Sequence, residues 1–152
     1  MIAADKFKFG LEKLIEMFYT ERKKRGMMRN LENINTAIND SKAAQNIMDL
    51  TECFISSVDP LKIFLFGSFA NGTYTDSSDY DFYIVIDDDK SIYNTSFLAN
   101  KSVRNIMKRP VDIVIGTNSR FQKFGKSEDS LMIEGEVQRN GLLLYDATGT
   151  AN

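Results

Sequence analysis

The stretch LKIFLFGSFANGTYTDSSDYDFYIVIDDD, Leu61–Asp89, decides how this chain is read. Leu61–Phe66 is a short apolar run entering a glycine, the pattern of a buried strand. Gly67 to Ser78 reads as a turn and loop. Tyr80–Ile86 reads as a second buried strand, rich in β-branched and aromatic residues. Residues i and i+2 of a strand point to the same face. Asp79 and Asp81 therefore project together, and Phe82, Ile84 and Ile86 project to the other side. Two carboxylates about 4 Å apart repel by roughly 4 kcal/mol at an effective dielectric near 20. A fold tolerates them when a cation sits between the oxygens, when one is protonated, or when a base pairs with one. Hard oxygen donors without His or Cys nearby select Mg2+ or Mn2+ over zinc.

Two further features belong with this pair. Gly67 permits close backbone approach, and SFANG after it can start a short helix. Backbone N–H groups there, with the Ser68 hydroxyl, form an anion site suited to a phosphate. A Gly-Ser turn after a strand is common, so that signal alone is weak. Asp112 interrupts the apolar run VDIVI (Val111–Ile115), where a buried charge needs a partner. If that strand lies beside Tyr80–Ile86, Asp112 reaches the face of Asp79 and Asp81. A salt bridge to Arg109 or Arg104 explains Asp112 equally well. Three carboxylates can hold two divalent ions.

Composition narrows the alternatives. The 152 residues fit one domain with one core. The net charge of -2 gives no global basic field, so nucleic-acid binding is not indicated. Histidine is absent, which removes His bases, His zinc ligands and His-dependent triads. Cys53 is the single cysteine and reads as a small core residue. No signal-peptide core and no run of transmembrane length is present, so a cytoplasmic, non-membrane protein is expected. Neither a P-loop nor a Rossmann glycine pattern occurs.

Outward from the opening stretch, the periodicity predicts a helix over 5–25, ending in Arg22-Lys23-Lys24-Arg25-Gly26, and an Asn-rich connection over 27–40. The basic run reads as a solvated helix end. A second helix carries Ala44, Ile47, Met48, Thr51, Phe54, Ile55 and Val58, capped by Asp40 or Ser41 and ended by Asp59-Pro60. Asp87-Asp88-Asp89 reads as a solvated loop. A helix over 94–108 is expected to use Phe97, Leu98, Val103, Ile106 and Met107. Residues 116–127 are expected to be loop with a helical turn near Phe121 and Phe124. A helix over 128–139 is expected to bury Leu131, Met132, Ile133 and Val137, with Asn140-Gly141 as its cap, before a last strand Leu142–Tyr145. DATGTAN is expected to have nothing to bury. The fold class is α/β (α+β), a small mixed sheet with helices packed on it. The expected divisions are a helical extension over 1–40, the domain over 41–146 and a tail over 147–152.

The spacing as a whole is specific: strand, Gly67-Ser68, ten residues, Asp79-x-Asp81, strand, then Asp112 in a later strand. It resembles the nucleotidyltransferase superfamily typified by DNA polymerase beta. More closely it resembles the minimal nucleotidyltransferases, antitoxin partners of HEPN toxins. LFGSFANG (65–72), SDYDFYIVI (78–86), VDIVI (111–115) and EGEVQRNGLLLYD (134–146) carry the likeness. Members often have Arg in the segment after Gly-Ser, where this chain has Asn71. The resemblance implies a polymerase beta palm-like fold and transfer of a nucleoside monophosphate from ATP or another NTP to a hydroxyl. It implies Gly67 and Ser68 on the nucleotide phosphates, and Asp79, Asp81 and Asp112 as catalytic metal ligands for Mg2+ (or Mn2+). Lys101, Arg104, Lys108 and Arg109 are the cations considered for the triphosphate. The chain leaves little room for a substrate domain, so the acceptor is expected on a partner, a Tyr of a HEPN toxin. A small-molecule (aminoglycoside-like) nucleotidyltransferase acting as a homodimer, and a non-catalytic partner-binding antitoxin, are the competing readings.

Overall fold

The computed structural model describes residues 34–126 and 131–149, with Gly10, Lys13, Leu14, Glu16, Met17, Thr20 and Glu21 before them. Those seven are helical, within the helix expected over 5–25; the rest of that helix, the basic run and residues 27–33 lie outside the described residues. So do residues 127–130 and 150–152.

The first long helix, α1, spans Ser41–Val58. Asp40 caps it, its side chain accepting from the backbone N–H groups of Lys42 and Ala43. It ends at Asp59, which takes a left-handed conformation (φ 47°) ahead of Pro60. Strand β1 (Lys62–Phe66) follows, then the five-residue helix α2 (Gly67–Asn71), then β2 (Tyr80–Ile86). Helix α3 (Ile92–Val103) crosses to β3 (Val111–Thr117). Helices α4 (Asn118–Gly125) and α5 (Ile133–Asn140) precede the last strand, β4 (Leu142–Asp146).

The four strands form one sheet in the order β3-β2-β1-β4. β1 is antiparallel to both neighbours, and β2 and β3 are parallel. The expected mixed sheet with helices on it is therefore what the chain forms. One face buries Ile63, Leu65, Tyr80, Phe82, Ile84 and Ile86 under α1 and α3. Ile34 and Ile38 join that core. The other face packs Phe64, Tyr83, Val85 and Val114 against Phe121 of α4 and Val137 of α5. Alternation thus gives each strand two apolar sides, as expected for a sheet covered on both faces. No helix among the described residues is long and apolar enough to cross a membrane.

Four expectations need correction. Residues 118–125 are a helix and not a loop with one turn, because two oxygens supply its first N–H partners. Thr117 accepts from Arg120 N, and Asp88 from Ser119 N at 2.9 Å. Asp88 is thus a cap, and that bond holds its carboxyl below the ordinary range. On α3 the buried residues are Thr95, Ala99 and Val103, whereas Phe97 and Leu98 are exposed. Small side chains at i, i+4 and i+8 let this helix lie close against its neighbours. Leu131 and Met132 are exposed, since α5 starts at Ile133; Gly141 ends it with extended backbone (φ −71°). Finally, Asp146 is not tail: it ends β4, is 4% exposed, and accepts from Lys62 Nζ at 2.5 Å.

Candidate active site

β2 and β3 run parallel in the register Asp81↔Asp112, so the two carboxylates are nearest neighbours on one face of the sheet. That face is the one carrying Tyr83 and Val85, opposite Phe82 and Ile84. Asp79 lies two residues before Asp81, just outside the strand. Burial raises the Asp81 carboxyl above its ordinary range, and the charges of Asp112 and Asp79 raise it further. The three groups expected from sequence are therefore in one electrostatic neighbourhood. Asp81 and Asp79 are half-buried and Asp112 is exposed.

Gly67 closes the site from β1. Phe66 pairs with Asp81 across the antiparallel ladder, and the next residue is Gly67 at φ +70°. A Cβ at Gly67 would collide with Asp81 Oδ2. The turn from β1 into α2 thus requires glycine twice, for its left-handed backbone and for the carboxylate lying against it. Ser68 follows it in α2, with its carbonyl accepting from the N–H groups of Gly72 and Thr73.

The loop between α2 and β2 is held from behind. Arg109 donates to the carbonyls of Thr75 and Ser78 at 3.2 and 2.9 Å, and lies over the rings of Phe69 and Tyr80. Arg109 therefore anchors the segment that delivers Asp79. Among the described residues Asp112 makes no ion pair, with Arg109 or Arg104 or any other base.

Sequence reasoning missed a second polar cluster on this face. Glu134 of α5 is 1% exposed and accepts from Tyr83 OH at 2.8 Å and from Arg120 Nε at 2.5 Å. Burial alone would raise the Glu134 carboxyl, but the bonds from Arg120 and Tyr83 outweigh it and hold it below the ordinary range. Tyr83 is pushed upward by burial and by Glu134. Its hydroxyl crosses β3 at Gly116, where a Cβ would occupy the same space. A Gly in an otherwise apolar strand was the available signal.

A family model, Polymerase beta, Nucleotidyltransferase, matches residues 48–147, more than half of the chain. The chain belongs to this nucleotidyltransferase family. One solved structure, of a protein assigned to the nucleotidyltransferases from Sulfolobus solfataricus, is 20% identical, with a TM-score of 0.39 over 74% of this chain and 94% of that one. No curated protein matches the chain.

Nucleotidyltransferases generally use an NTP and a divalent metal, so the carboxylates must be tested as a metal site. Their donors are all hard oxygens, and Asp81 is raised first by burial and then by the charges of Asp112 and Asp79, the part a cation would relieve. On the β1 side the Asp81 carboxylate lies directly against Gly67. Among the described residues, no three His, Cys, Asp or Glu side chains are gathered closely enough to hold an ion. The donor type suits a hard divalent ion, while the geometry among the described residues does not form a three-donor site.

Proposed function

We propose that this protein transfers AMP from ATP to a hydroxyl, that the hydroxyl belongs to a tyrosine of a HEPN-type toxin, and that the transfer makes it an antitoxin. The observation that carries the transfer chemistry is the in-register pairing of Asp81 with Asp112, with Gly67 against Asp81. Family membership supports monophosphate transfer. Resemblance in the Gly67-Ser68, Asp79-x-Asp81 and Asp112 spacing supports the toxin partner.

In this reading Gly67 and Ser68 hold phosphate oxygens through backbone N–H groups and a hydroxyl. Asp79, Asp81 and Asp112 would hold Mg2+, which would supply charge neutralisation for the phosphates. Asp112, the most exposed of the three, faces the incoming hydroxyl and orients it or takes its proton. The acceptor oxygen bonds the α-phosphorus as the α–β bridging bond breaks, and pyrophosphate leaves. Positioning and charge neutralisation supply most of the rate.

Labelled NTPs test the proposal, incubated with the protein and either a HEPN-type partner or a set of aminoglycosides, with Asp81→Asn as control. Label on a partner tyrosine, lost in the variant, is the expected result. Label on an aminoglycoside alone would sink the toxin reading. Partner neutralisation without any label would replace transfer by simple binding.

A further inference from the structure

A cavity of ≈ 580 Å3 lies on the side of the sheet opposite Asp81, between the first turns of α1 and the entries to β2 and β3. Lys42, Asn46, Tyr80, Lys108 and Arg109 are among its walls. Neither the Gly67-Ser68 turn nor any of the three aspartates borders it. Sites for small molecules commonly enclose about 300–1,000 Å3 and orient the ligand with a few placed polar groups.

The buried polar group of this cavity is half satisfied. Asn46 is 6% exposed. Its Nδ2 donates to the Ile106 carbonyl at 3.2 Å, and its Oδ1 has no partner. Only the amide nitrogen can donate to a carbonyl, so the free atom is the acceptor. A buried acceptor left unpaired costs about 1–3 kcal/mol, which a ligand N–H would remove.

The free groups at the rim are cationic. Asp40 is committed to the first N–H groups of α1, and Asp49 accepts from Gln45 Nε2 at 2.8 Å. The exposed ammonium groups of Lys42 and Lys108 make no ion pair among the described residues. One buried acceptor and two unpaired cations match a small anion that also carries an N–H donor.

Arg109 links this cavity to the carboxylates on the other face. It donates to the carbonyls of Thr75 and Ser78, and the carbonyl of Pro110 accepts from Tyr80 N at 3.0 Å. Both neighbours of Asp79 are therefore tied to the Arg109-Pro110 dipeptide, and Asp112 follows that dipeptide into β3. An anion beside Lys108 competes with the two carbonyls for the Arg109 guanidinium.

We propose that the cavity is a regulatory site for a small anion bearing an N–H donor. Asn46 takes the donor, and Lys42 and Lys108 take the anion. Occupation loosens the turn over 75–79 and so weakens metal binding at the carboxylates. The binding half stands apart from the nucleotidyltransferase reading, and the coupling half rests on Asp79 as a metal ligand in it.

AMP is the probe, because adenosine and inorganic phosphate are its separable halves. Amide correlation NMR of the full chain, without divalent ions, locates each of the three. AMP should shift the amides of Lys42, Asn46 and Lys108 and bind about ten-fold more tightly than either half. Asn46→Leu and the rim variant Lys108→Met should each weaken AMP about ten-fold, the second without lowering Tm. Saturating AMP should raise the Mg2+ midpoint about five-fold, and saturating Mg2+ should weaken AMP by the same factor. AMP shifts confined to Gly67, Ser68 and Asp81, or equal affinity in wild type and Lys108→Met, overturn the site. Cavity binding that leaves the Mg2+ midpoint unmoved overturns the coupling. Wild type that binds no Mg2+ even without AMP overturns the nucleotidyltransferase reading and the coupling with it, while the amide shifts alone decide the cavity.

Discussion

Asp81→Asn should leave the protein catalytically inert and more heat-stable. Adjacent strands lie about 4.8 Å apart, so the paired carboxylates of Asp81 and Asp112 stand roughly 5–6 Å from one another. Coulomb's law gives about 3 kcal/mol of repulsion at a dielectric of 20 and under about 1 kcal/mol in water. Asp112 is exposed, so the lower end applies, about 1 kcal/mol, with Asp79 adding to it. For a chain of this size that raises Tm by about 2–4 °C in the absence of divalent ions. The sign with pH is fixed. A folded-state carboxyl raised above its unfolded value costs nothing below the unfolded pKa, where both states are protonated. The cost grows as pH rises through the folded pKa. Variant and wild type should therefore melt together in acid and separate towards neutrality. Millimolar Mg2+ should then raise wild type and leave the variant unmoved. Differential scanning calorimetry with and without Mg2+, at pH 3 and pH 7, reads all of this. A variant that melts lower than wild type at neutral pH, or that still responds to Mg2+, would refute the charge argument.

Three other substitutions separate the supports of the site. Gly67→Ala places a side chain at φ +70° and into the Asp81 carboxylate, so it should cost about 1–3 kcal/mol in urea melts and abolish transfer. Lys62→Met leaves the Asp146 carboxylate buried without its ion partner; it should cost about 3 kcal/mol at neutral pH. Burial alone would raise Asp146, but the Lys62 and Thr148 bonds hold it low, so this stabilisation is present above the unfolded carboxylate pKa and is lost as pH falls through the folded one. Acid titration of wild type should show that loss, and the variant should show less of it. Asp40→Ala removes the α1 cap and should cost about 1 kcal/mol without changing nucleotide affinity, since α1 packs on the far face of the sheet.

Much of the candidate site's arrangement was legible because it depends on a short period. Alternation along YDFYIVI places Asp81 opposite Phe82 whatever the rest of the chain does, and Asp112 needed only to be in the neighbouring strand. Turn chemistry was equally local: Gly67 and Asp40 act where their residue types act in any protein. The misses are long-range. Phe97 looks like core from its hydrophobicity, but the surface facing α3 accepts Ala99 and leaves the ring outside. Asp146 looks like tail until β4 brings it beside Lys62, 84 positions away. Glu134 reads as an ordinary surface carboxylate of a short helix, and only the fold shows that Tyr83 reaches it across Gly116.

The parallel pairing of β2 with β3 also has a kinetic consequence. β1 and β2 close as an antiparallel ladder over the connection that carries α2, a more local closure than the crossover to β3, so Gly67 and Asp81 can meet early in folding. Asp112 cannot join them until α3 has formed and crossed over, because a parallel neighbour needs that connection. The chain therefore brings its like charges together after the β1–β2 ladder, once the surrounding apolar core has begun to bury surface. Divalent ions present during refolding should speed this late docking step more than they speed the hairpin.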